Sequence, residues 1–230
     1  MCKFYSAIVM RNGDILHDEH LMSHEDIIGL YNINDSQINC NKFVRVEYTP
    51  DESKDFPDIS KYKLNVDEDS APDWFEQHRE HVIERLKSFV EKRIITTDRK
   101  ILTGGLYVVK DCHIDKLISA QVIYLQGQVN RMWGNSQVNQ MWGNSLVNRM
   151  MGNSQVNEMW ENSQVNQMWG NSQVNQMWEN SQVNRMRENS QVNQMRENSQ
   201  VNEMWGNSQV NEMCGNSQVK INNSKNKLPR

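Results

Sequence analysis

Residues able to do chemistry are few in this chain, and most lie in its first half. Cys2 follows the initial methionine. Methionine removal is favoured before a small residue and would expose an N-terminal cysteine, whose own amine can act as base for the thiol in a hydrolase. A small hydrophobe at the start of a strand is the competing role. The segment HDEHLMSHED sets His17, His20 and His24 at spacings of three and four, among Asp18, Glu19, Glu25 and Asp26. On one continuous helix the three rings would share a face and suit Zn²⁺. A strand ending near His17 and a helix cap at Ser23 argue instead for a polar surface. His78 and His81 stand three apart on a predicted helix, as half a metal site or as solvated residues. Cys112-His113 reads as an interdomain packing corner. Nothing resembles a phosphate loop, a nucleophile elbow or a dinucleotide fingerprint, so no cofactor is implied.

The elements that would position these groups read as a small α+β domain over residues 1–118. KFYSAIVM is a β-prone run, and Asn12-Gly13-Asp14 turns it into a second strand, DILH. SHEDIIGLY reads as a helix with Ser23 as N-cap. KFVRVEYT and YKLNVDED read as further strands. SAPDWFEQHREHVIERLKSFVEKRI (70–94) reads as the main helix, with Ser70 and Asp73 as a capping box and Trp74, Val82, Leu86, Phe89 and Val90 as its apolar stripe. IITTDRKILTGGLYVVKDC is expected to form a hairpin or strand pair, turning at Asp98 and again at Gly104-Gly105.

From residue 127 the grammar changes. Val recurs eleven times at a spacing of nine, from Val129 to Val219, and Met follows three residues later ten times, from Met132 to Met213. A helix turns about 100° per residue, so successive Val would fall on opposite faces. A disordered Gln/Asn-rich linker would not carry a Val, a Met and usually a Trp in every unit. The remaining option is a β-solenoid over 119–219: Ser-Gln-Val alternates in-out-in, Gly-Asn or Glu-Asn makes the turn, and Met fills the interior. Two units make an 18-residue coil, giving about five coils, with Asn and Gln in ladders. Residues 220–230 read as a basic disordered tail that could shield the last strand edge.

Stacking alternate units predicts two ladders after the Met. One is Trp133, Met151, Trp169, Arg187, Trp205; the other is Trp142, Trp160, Trp178, Arg196, Cys214. These aromatics either pack against neighbouring coils or form exposed stripes for binding.

The repeat NSQVNQMWG, the leader KILTGGLYVVKDCHIDKL and the start MCKFYSAIVMRNGDIL resemble uncharacterised proteins of phages, prophages and gut bacteria, in which a small N-terminal domain precedes nine-residue S-x-V-x-x-M repeats. The resemblance carries no known activity and no catalytic residues. Charge narrows the function. The net is −4 over 230 residues, and the repeat region holds five Arg against seven Glu. So balanced an array neither neutralises phosphates nor mimics them, and no nucleic-acid partner is expected of it. No apolar run is long enough for a membrane span. The chain has no secretory signal, no CxxC and no tight cysteine spacing, which points to the cytoplasm (a host's, if viral). The expected function is a non-enzymatic binding or assembly module, meeting a protein partner or a second copy through the solenoid's end or faces. The alternative is a Cys2 hydrolase or a metal-dependent enzyme within 1–118.

Overall fold

A computed structural model describes residues 5–35, 41–68 and 71–229. The chain divides into two compact units, residues 1–94 and 95–230. Cys2 and Ser70 lie outside the described residues.

The first unit is a four-stranded antiparallel sheet with helices. Its strands are β1 (Ser6–Met10), β2 (Ile15–Leu16), β3 (Phe43–Thr49) and β4 (Lys63–Val66), ordered β2-β1-β3-β4. The turn into β2 uses Gly13 at φ 89°, and Asp14 N–H donates to Asn12 Oδ1 at 3.1 Å. Helix α1 (His24–Leu30) starts as the sequence predicts, with Ser23 Oγ accepting from Asp26 N–H at 3.3 Å. It buries Ile27 and Ile28 with Ile8 and Phe43. The long helix expected over 70–94 is two helices, α2 (Asp73–Glu76) and α3 (Arg79–Glu91), separated by Gln77 and His78. Val82, Leu86 and Val90 are buried as predicted, but at the α2 turn it is Phe75, not Trp74, that enters the core. The Trp74 indole N–H instead donates to Asn41 O at 3.0 Å.

The second unit is a parallel β-solenoid of about seven turns spanning 94–224, not the five coils expected from 119. It begins with β5 (Ile94–Ile95), β6 (Arg99–Thr103), β7 (Leu106–Ile118) and β8 (Gln121–Trp133). The repeat strands follow: β9 (Gln137–Met141), β10 (Leu146–Met150), β11 (Gln155–Met159), β12 (Gln164–Met168), β13 (Gln173–Met177), β14 (Gln182–Met186), β15 (Gln191–Met195), β16 (Gln200–Gly206), β17 (Gln209–Met213) and β18 (Gln218–Ser224). From β8 on, odd-numbered strands stack into one wall and even-numbered strands into the other. Of the hairpin or strand pair expected at Asp98 and Gly104-Gly105, a strand pair forms, and it is not a hairpin. β6 and β7 pair in parallel, Arg99 opposite Ile114, so both turns are coil corners.

Coil length grows along the rod. Partners are fifteen residues apart at Leu106–Gln121, sixteen at Gln121–Gln137 and eighteen at Gln128–Leu146. The early coils keep the fold without the nine-residue signature, which is why the repeat alone places the start too late. β7 and β8 run through a corner and serve both walls. At that corner Gly127 lies so close to β7 that a Cβ would stand 2.6 Å from Cys112 O.

In each repeat Ser, Val and Met point inward, and the Val and Met columns are buried from Val129 and Met132 through Val201 and Met204. Parallel strands covered by a second wall bury continuous apolar columns in this way. Each unit turns at Trp-Gly-Asn-Ser or an equivalent, and in most of them the Ser N–H donates to the carbonyl three residues back, as in Ser145 to Trp142 at 3.2 Å. The second residue has positive φ, a type II′ pattern that favours glycine. At Glu161, Glu179, Glu188 and Glu197 a glutamate takes that position at φ 56° to 58°.

The expected disordered tail is ordered through most of its length. β18 pairs with β16, Asn226 Nδ2 donates to Asn207 O at 2.9 Å, and Leu228 packs on the end of the core.

Candidate functional site

Stacking identical units in register turns every outward position into a column one coil, or 18 residues, apart. The Asn after each Val forms amide ladders on both walls. Asn157 donates to Asn139 at 3.1 Å, Asn175 to Asn157 at 2.9 Å, and Asn193 to Asn175 at 2.8 Å on one wall; Asn166, Asn184 and Asn202 each donate to the Asn below at 2.7 Å on the other. Each amide gives one proton and accepts one, so the ladder is self-satisfied until it ends. The odd-strand ladder runs on to Asn211, which donates to Asn193 at 2.9 Å, and the even-strand ladder ends at Asn202, whose Oδ1 is buried without a partner among the described residues. One coil further on stands Lys220 in place of an Asn.

The next column carries charge. Gln140 donates to Glu158 at 2.9 Å and Gln194 to Glu212 at 2.8 Å, while Arg185 pairs with Glu203 at 2.9 Å on the opposite wall. At the turns, Glu188 accepts from Gly170 N–H at 2.7 Å and Glu197 from Glu179 N–H at 2.9 Å. These carboxylates help hold an unfavourable φ, because each caps a backbone donor of the coil below.

Both expected ladders after the Met are present. Tyr124, Trp142, Trp160 and Trp178 stack face to face with centroids 6.3, 5.3 and 5.0 Å apart, and the Arg196 guanidinium lies 4.6 Å over Trp178. On the other wall Arg187 sits 4.9 Å over Trp169. The rings of the first ladder present their edges to solvent and their faces to each other. That arrangement stabilises coils and leaves no open ring face within the stack for a ligand. Trp133 and Trp205 differ, at 43% and 44% exposed. They are the end members of the Trp133–Trp205 ladder, whose Trp169, Arg187 and Trp205 line a shallow hollow of about 450 Å³ with Glu188 and Gly206.

The histidines are dispersed. His17 precedes α1 and lies against Phe89, with ring centroids 4.2 Å apart. Its pKa is lowered, first by burial and then by Arg85. His20 is exposed in the loop. His24 opens α1 and is buried, its Nδ1 3.3 Å from Asp67 Oδ2. The helix that would have aligned the three does not extend back past Ser23. His78 separates α2 from α3 beside Trp74, and His81 is exposed on α3. Among the described residues, one group of three His, Cys, Asp or Glu side chains brings its ligand atoms within 4.8 Å: His24, Glu47 and Asp67. Sequence spacing finds His24 but not its neighbours, which come from β3 and from the residue after β4.

Cys112 and His113 sit where β7 turns its corner, inside the solenoid, with Asp98, Asp111 and Gln126 lining a hollow of about 440 Å³. Burial, followed by Asp98, pushes the Cys112 thiol up, and its Sγ donates to Ile95 O at 3.4 Å. A thiol held protonated is a poor nucleophile, so this corner is packing, but within the second unit rather than between domains as the sequence suggests. Among the described residues no helix is long and apolar enough to cross a membrane.

No protein-family model matches the chain, and neither does any curated protein or any solved structure.

Proposed function

We propose that this chain is a non-enzymatic binding and assembly module, a repeat rod whose last coil takes up a second copy of itself by strand addition. The observation that carries this reading is the state of that last coil. On the odd wall, the tail lies beside β17: Asn226 Nδ2 donates to Asn207 O at 2.9 Å and to Ser208 O at 3.3 Å, and Asn226, Lys227 and Pro229 line a hollow with Gln209, Val210 and Asn211. On the even wall β18 ends the strand order, with no strand on its outer side among the described residues. It is seven residues long and holds Ile221 at 49% exposure. An uncovered edge of that length is a template for another strand. Two copies meeting about a two-fold axis would pair β18 with β18 antiparallel, and the contact would close on itself.

The regular outward columns support the wider role, since such rods carry extended surfaces built one repeat at a time. The near balance of charge along the repeats disfavours nucleic acid as the partner. The resemblance to phage and prophage proteins would set this module in a mobile element, within a host cytoplasm.

Size-exclusion chromatography with light scattering tests the reading on the full chain from micromolar to millimolar concentration. A concentration-dependent dimer that Ile221→Lys converts to monomer is the expected result. A monomer throughout, or a dimer indifferent to Ile221→Lys, rejects association through β18.

A further inference from the structure

The geometry points to a divalent transition-metal site in the first unit, formed by His24, Glu47 and Asp67. His24 is only 1% exposed, and its Nε2 is 3.0 Å from Val46 O. A carbonyl oxygen only accepts, so Nε2 carries the proton and donates. The other nitrogen, Nδ1, faces Asp67 Oδ2 at 3.3 Å. Glu47, largely buried on β3, completes the set within 4.8 Å.

Three features match what a cation needs. The first is orientation. A metal-bound histidine almost always donates its remaining N–H to a backbone carbonyl or carboxylate, which fixes the tautomer and aims the lone pair. Val46 O does that here. The second is spacing. With Zn–N and Zn–O bonds of about 2.0–2.2 Å and a tetrahedral angle, two donors stand roughly 3.3–3.6 Å apart. The His24–Asp67 separation already has that value, and Glu47 closes in by rotating its side chain. The third is charge and access. Two carboxylates match the formal charge of a divalent ion, and Asp67 is 57% exposed, leaving a path from solvent.

The donor set selects among cations. One imidazole nitrogen with two carboxylate oxygens suits Zn²⁺, Mn²⁺ or Fe²⁺, whereas Ca²⁺ and Mg²⁺ favour oxygen alone. Three protein ligands also leave a fourth position for water. The ligands come from the first residue of α1, from β3 and from the residue after β4. A bound ion would therefore pin the helix to two strands of the sheet.

The test uses the untagged full chain, stripped with chelator, titrated with Zn²⁺ and separately with Mn²⁺ by calorimetry, with thermal melting in parallel. One equivalent should bind and raise the melting temperature. Asp67→Asn, an exposed position whose fold is checked by circular dichroism, should weaken binding at least tenfold, and Glu47→Gln should do the same. His20→Ala should leave it unchanged. Failure of both cations to bind, or binding indifferent to Asp67→Asn, overturns the site. Loss on His20→Ala with Asp67→Asn intact would overturn it too, in favour of the histidine spacing read from the sequence.

Discussion

Replacing Trp160 by alanine tests whether the aromatic ladder holds the rod together. The ring lies between Trp142 at 5.3 Å and Trp178 at 5.0 Å, nearly parallel to both, and its N–H donates to Glu158 at 3.0 Å. Two stacked pairs at about 0.5–1.5 kcal/mol each contribute about 1–3 kcal/mol. The covered half of the indole, roughly 100 Å² at about 25 cal/mol per Å², adds about 2.5 kcal/mol. An unfolded chain already hides some of that surface, so the expected loss is about 3–4 kcal/mol. Trp133→Ala is the control. That ring is 43% exposed and outside the stack, so its loss forfeits buried area but no stacked pair and should cost about 1–3 kcal/mol less than Trp160→Ala. Urea unfolding followed by far-UV circular dichroism gives both values. Near-UV dichroism gives a second reading, because removing the middle ring leaves its neighbours about two coils, or roughly 10 Å, apart. If Trp160→Ala costs no more than Trp133→Ala and leaves the near-UV signal intact, the ladder is ornament and the reasoning fails.

Other perturbations separate opposing effects. Glu161→Gly should stabilise the solenoid by about 1 kcal/mol by relieving a left-handed backbone. Glu188→Gly gains the same relief but loses the 2.7 Å bond to Gly170 N–H, so it should be neutral or destabilising; equal shifts in the two melting curves would contradict this. His17 has its pKa lowered by burial and then by Arg85, so it contributes stability that is complete above its unfolded value of about 6.5 and is lost as pH falls through the folded value. Melting temperatures between about pH 7 and pH 5 should therefore fall less steeply for His17→Gln than for wild type, and parallel curves would remove His17 from the account. Exposed Cys214 should react with a maleimide well before buried Cys112, as resolved by peptide mass; the reverse order would show that the β7 corner opens.

The solenoid was legible because a strict nine-residue period with Val, Met and a turn residue admits few structures, and the coil of two units follows from strand length alone. Its first coils were not. They hold the same inward pattern with Leu, Ile and Val at spacings of fifteen and sixteen, and no repeated letters mark them. Parallel pairing of β6 with β7 was hidden for a related reason: Gly104-Gly105 signals a turn equally well for a hairpin and for a coil corner. In the first unit, His24 stood out by spacing to His17 and His20, yet its neighbours in space, Glu47 and Asp67, are more than twenty residues away in sequence. Local periodicity carries no information about such a meeting. That the basic tail shields a strand edge is legible in its lysines, but its order and the packing of Leu228 on the core are not, because one leucine among polar residues gives no pattern.

Because one unit is half a coil, the rod treats gain or loss of a single unit in an unusual way. The inward residues Ser, Val and Met are the same on both walls, so a slip of one unit during replication of the gene keeps the core columns unbroken. The outward residues differ between walls: the Trp142–Trp160–Trp178 stack belongs to one, and the Arg185–Glu203 pair to the other. Every unit downstream of the slip changes sides, carrying its surface residues with it and moving β18 from the even wall to the odd. A mutation nearly silent for folding thus rewrites the exterior in one step, whereas a slip of two units only changes the length. Parity of unit number is therefore a heritable switch of surface that needs no substitution at all.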